Sequence, residues 1–80
     1  MLATMDVGWN VRVTIYDEEG KPSIQQHFLV YEADKKKAVA LVHKWAPVYD
    51  RETMEATAPV PLNEFIRYGM KPGEVRRHDQ

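Results

Sequence analysis

One stretch, residues 33–46, constrains the fold more than any other, because its spacing alone predicts a helix long enough to cover a sheet. Ala38, Leu41, Val42 and Trp45 recur at i, i+3, i+4 and i+7. At about 3.6 residues per turn that spacing puts them on one apolar face. Val39 and Ala46 flank this face, Lys36, Ala40, His43 and Lys44 point away from it, and Lys37 sits at its margin. Asp34 is placed as the N-cap, where its carboxylate accepts a hydrogen bond from a first-turn amide. Pro47 stops the helix by favouring extended backbone at Ala46. Three lysines occupy the first turn, where the helix dipole favours negative charge. Each such exposed placement costs only about 0.3 kcal/mol, so the helix survives it. Either the lysines mark a site for an anionic partner, or they form a solvated run partly offset by Asp34.

The rest of the chain reads as strands beneath this helix. Residues 9–17 alternate, with Trp9, Val11, Val13 and Ile15 on one face and Asn10, Arg12, Thr14 and Tyr16 on the other. A polar Gly/Pro turn over 17–22 leads into a second strand, 24–32, and the short connection makes the two a hairpin. Residues 52–60 form a third strand, weakened by small side chains and by Pro59, which suits an edge. Residues 61–69 suit a short C-terminal helix, with Pro61 at its start and Gly69 at its stop. The expected fold is therefore α+β in the order β-β-α-β. A right-handed crossover makes strands two and three parallel, and with strand three docked beside strand one the sheet is three-stranded, mainly antiparallel and of order 2-1-3. One helix packs on one face, burying Leu41, Val42 and Trp45 against Val11, Val13, Phe28 and Val30. The other face shows Arg12, Thr14, Tyr16, His27, Leu29 and Tyr31, and is either covered by residues 61–69 or left as a contact surface. Residues 1–69 are expected as a single domain and 70–80 as a flexible basic tail.

Charge and composition narrow the function. The net charge is −1, which argues against a dedicated polyanion binder, but the charge is unevenly spread. Residues 33–46 set four lysines against Asp34, and 67–80 set Arg67, Lys71, Arg76 and Arg77 against Glu74 and Asp79. The intervening and preceding segments are acidic. The absence of cysteine excludes a disulfide framework and a thiolate zinc site. No apolar run approaches the ~20 residues that span a membrane, and residues 1–6 lack the pattern of a signal peptide, so a cytoplasmic protein is expected.

No constellation carries chemistry. His27, His43 and His78 fall on three different elements, none at a metal-binding spacing, and Ser23 lies in a turn without a surrounding motif. The four glycines are scattered and form no phosphate-cradling loop. No enzyme, metal or cofactor is therefore expected. Two binding readings remain. In the first, the chain is a small protein-binding module (an adaptor, inhibitor or regulatory subunit) whose partner surfaces are Lys36, Lys37, Lys44, Arg76 and Arg77, and Tyr16, His27 and Tyr31. A sheet edge offers it a partner strand or a homodimer contact. In the second, the lysine-rich helix tracks nucleic-acid phosphates while Tyr16 and Tyr31 stack bases. The second places its cations and its aromatics on opposite sides of the fold, and the protein partner is the expectation.

An aromatic-led first strand (Trp9, Val11, Val13), Phe28-Leu29-Val30 ahead of Tyr31-Glu32-Ala33, and Ala38, Leu41 and Trp45 in the helix carry one resemblance. Over residues 9–59 the chain resembles the small β-β-α-β inhibitor of bacterial RNA polymerase made by T7-like phages. The resemblance implies the fold and a protein partner. That family engages polymerase through arginines on its third strand, whereas residues 53–59 here carry none, and its helix is more acidic. The target is therefore not implied.

Overall fold

The computed structural model describes residues 4–45 and 52–78. In chain order the elements are β1 (Asp6–Tyr16), β2 (Pro22–Val30), α1 (Lys35–Trp45), β3 (Glu52–Pro61), α2 (Leu62–Arg67) and β4 (Val75–Arg77). Among the described residues the strands form one antiparallel sheet of four, in the order β3-β1-β2-β4. β1 lies between β2 and β3, and the helical crossover joins those two, but the three-stranded 2-1-3 sheet is incomplete. A fourth strand extends it beyond β2, which is therefore interior rather than an edge.

That strand comes from the segment expected as a flexible tail. The Gly73 N–H donates to the Tyr31 carbonyl at 2.8 Å, the Tyr31 N–H to the Glu74 carbonyl at 3.0 Å, and the His78 N–H to the His27 carbonyl at 2.7 Å. The Glu74 carboxylate accepts the Lys71 N–H and closes the turn that swings the chain back. Three residues with one apolar member, Val75, are too short to show alternation, so the strand is set by pairing with β2 and not by its own pattern.

α1 begins as its sequence predicts. The Lys37 N–H donates to Asp34 Oδ1 at 3.0 Å, and Glu32 accepts the Asp34 N–H at 2.9 Å. Two carboxylates thus stand at the end of the helix that carries the lysines, and they offset the unfavourable dipole term. The core beneath α1 joins Val11, Val13, Phe28 and Val30 to Ala38, Val42 and Ala56. Trp45 is the correction: it was expected in this core, but it is 54% exposed and meets Phe28 only edge-on, with centroids 5.5 Å apart. It stands in the last turn, over the margin of the sheet where β4 supplies only three residues, and too little surface lies below to enclose an indole. Trp9 takes a fixed place instead, donating its indole N–H to the Ala33 carbonyl at 2.9 Å and so tying β1 to the entrance of α1.

The opposite face is divided. α2 covers one end, where Phe65, fully buried, gathers Leu29 and Val60 with Val7, Tyr31, Tyr68 and Met70. α2 stops as Gly69 and Met70 return their N–H groups to the Ile66 and Phe65 carbonyls at 3.0 and 2.9 Å. This stop requires the positive φ of 66° that Gly69 supplies without strain. The other end of the face is open and polar.

Candidate functional site

α1 holds Lys36, Lys37 and Lys44 on its solvent side, all exposed. No ion pair among the described residues involves any of them. Lys35 differs: its ammonium lies 5.4 Å from the Trp9 ring. Helical spacing divides the three. Lys36 borders β3 beside Val39, Met54 and Ala56, whereas Lys37 and Lys44 share a flank with Leu41, towards β4.

On that second flank Leu41, Lys44 and Trp45 face Gly73, Glu74 and Val75 across a groove of about 360 Å³. Arg77 pairs in register with Phe28, so its side chain belongs to the α1 side. Arg76 is on the other side, its guanidinium 5.0 Å from the Tyr68 ring and donating to the Tyr68 carbonyl at 3.5 Å. The structure therefore brings Lys44 and the β4 segment together and separates Arg76 from Arg77. Trp45 with the half-buried Leu41 and Val75 forms the apolar lining of this groove, which helical and strand periodicity alone do not place there. An apolar residue alone in a basic segment, as Val75 is, was the one signal available.

The aromatic surface suggested by Tyr16, His27 and Tyr31 does not form. Tyr31 stacks on Phe65 with centroids 4.5 Å apart, inside the α2 core. Tyr16 lies at the far end of β1 with its hydroxyl 3.4 Å from Thr53 Oγ1. Between them the open face is a ladder of cross-strand polar pairs. Asn10 donates to Thr57 Oγ1 at 2.7 Å, and Arg12 meets Glu55 at 3.2 Å. These cross-strand pairs occupy the face between the two tyrosines, although the Arg12 Nε is buried without a hydrogen-bond partner.

His27 instead joins His78, which the sequence placed apart. Both line a cleft of about 430 Å³ with Asn10 and Glu64, over Leu29 and Val60. The amide of Asn10 is 3.5 Å from His27 Nδ1, and the His78 ring meets Tyr68 edge-on at 5.4 Å. The Thr57 hydroxyl beside this cleft donates to the Asn10 carbonyl at 3.2 Å. Among the described residues no group of three or more His, Cys, Asp or Glu could hold a metal ion. No helix of the described residues is long and apolar enough to cross a membrane. No protein-family model matches the chain, and neither a curated protein nor a solved structure does.

Proposed function

We propose that the chain is a small non-catalytic protein-binding module that uses the lysine side of α1 to dock a partner bearing carboxylates. One observation carries this reading. Lys36, Lys37 and Lys44 stand exposed on a capped helix, and no ion pair among the described residues holds any of them. The helix fixes where these cations stand, and together they attract an acidic surface at long range. The resemblance to the phage polymerase inhibitors points the same way, to a protein partner, and we carry no target over from it. Nucleic acid is less favoured. The tyrosines proposed to stack bases are engaged by Phe65 and Thr53, and the lysines fall on two flanks of α1 rather than along one track.

The test is random-peptide display on the folded protein, followed by amide NMR titration of the enriched peptides and, separately, of mixed-sequence oligonucleotides at low and moderate salt. Acidic peptides are expected to be enriched, to shift the α1 amides, and to bind about tenfold more weakly to the Lys37→Gln/Lys44→Gln variant. Enriched peptides without acidic character, or binding indifferent to that variant, would refute the reading. Salt-sensitive oligonucleotide shifts along α1 would replace it with the nucleic-acid alternative.

A further inference from the structure

The two edges of the sheet are unequal. β3 is guarded over its second half by Pro59, Pro61 and a register shift opposite Asn10 and Val11. β4 carries neither proline nor irregularity. Its hydrogen-bond phase can be read directly. The Tyr31–Glu74 and His27–His78 pairs are bonded to each other, so alternation along an antiparallel ladder turns the N–H and C=O of Val75 outwards. The Val75 side chain faces α1, in the groove with Leu41 and the half-exposed Trp45.

We infer that this edge is covered by a second copy of the same chain, β4 pairing with β4 about a two-fold axis at Val75. The sequence around that point is self-complementary in this register. Val75 lies opposite Val75, and Glu74 lies opposite Arg76 on both sides of the axis. Centring the axis on Arg76 or Arg77 sets arginine against arginine, and centring it on Glu74 sets carboxylate against carboxylate. Val75 is thus the register that charge selects. The contact satisfies the outward backbone groups of Val75, extends the sheet across both copies, and brings two sets of Leu41 and Trp45 over the seam. It also brings the Leu41–Lys44 flanks of two α1 helices towards the seam, and it does not rest on the function proposed for the lysines.

The chain has no cysteine, so a single introduced thiol reports the geometry cleanly. Opposed residues in a bonded antiparallel pair lie about 5.5 Å apart at Cα, inside the range a disulfide spans. Under mild oxidation V75C is expected to give a covalent dimer and A58C, on the β3 edge, to stay monomeric. Sedimentation of the unmodified chain is expected to show a dimer. Arg76→Glu is expected to weaken it about tenfold, and the swapped pair Glu74→Arg/Arg76→Glu to restore it. Amide NMR of each variant checks that β2 and β4 still pair. A chain that stays monomeric at the highest soluble concentration, cross-linking through A58C but not V75C, or a swap that fails to restore the dimer in a folded protein would overturn the inference. Lys36→Gln, on the flank towards β3 and away from the seam, is expected to leave the dimer intact while weakening acidic-peptide binding, which separates this result from the partner-docking test.

Discussion

Gly8→Ala is the sharpest test of how the two sides of the sheet are held together. In a strand this exchange ordinarily helps, because glycine weakens a strand interior. Here it should do the opposite. Gly8 is buried on β1, at a register shift in the pairing with β3. A methyl group added there would stand 2.6 Å from Phe65 Cε2, and closer still to Phe65 Cζ and to the Val30 carbonyl oxygen. Ordinary carbon contacts lie at about 3.5–4.0 Å, so the ring must retreat by roughly 1 Å or more. The carbonyl belongs to β2 and cannot rotate away. Overpacking costs about 1–3 kcal/mol, and a clash with backbone as well as side chain sets this site at about 3 kcal/mol. In a domain of this size that loss corresponds to a fall in Tm of roughly 12–24 °C. Urea unfolding, followed by the fluorescence of Trp9 and Trp45, measures it directly. The combination with Phe65→Leu adds a second check. Leucine relieves the ring contact but not the carbonyl contact, so the double variant should recover only part of the loss. A Gly8→Ala protein within about 0.5 kcal/mol of the parent would refute the close approach of β1 to α2, since unremarkable substitutions fall in that range.

Three further outcomes are expected. Phe65→Ala should cost about 3–5 kcal/mol, because the ring is fully buried and holds Tyr31 in a stack; a calorimetric Tm close to the parent's would show that α2 is not part of the core. Trp45→Ala should cost only about 1–2 kcal/mol in dilute, monomeric protein, since half the side chain is already in water; a loss of 4 or more, roughly that of a packed indole, would restore Trp45 to the core. Asp34→Ala should cost about 0.5–2 kcal/mol by freeing the Lys37 amide and exposing the lysine-rich first turn to its own dipole; unchanged helical circular dichroism and stability would refute its role as cap.

Much of the fold was legible because its information is local. Alternation placed β1 and its inward residues, since a strand displays its faces every second position. The spacing of Ala38, Leu41 and Val42, with Asp34 before and Pro47 after, placed α1. Pro61 and Gly69 bracketed α2. The short polar turn made β1 and β2 a hairpin, and the crossover made β2 and β3 parallel, as they are with β1 between them. The candidate site was legible in part: the exposure of Lys36, Lys37 and Lys44 follows from the same helical period that buried Ala38 and Val42.

What escaped depends on partners far along the chain. β4 exists because Glu74 and His78 find Tyr31 and His27, a contact that no three-residue pattern announces. Tyr31 is half-buried rather than free because Phe65 stacks on it, and His27 shares a cleft with His78 only because β4 folds back along β2. Trp45 has the period of a core residue and the exposure of a surface one, because period assigns a side to a helix but not the extent of the sheet beneath it. Gly8 is required by the nearness of Phe65 and of the Val30 carbonyl, both distant in sequence. The sequence by itself determined which residues turn inwards within each element, since backbone periodicity and caps are properties of neighbouring residues. Only the tertiary structure decided what covers each face, where the sheet ends and which cations share a flank, since those follow from non-local pairings that local periodicity does not encode.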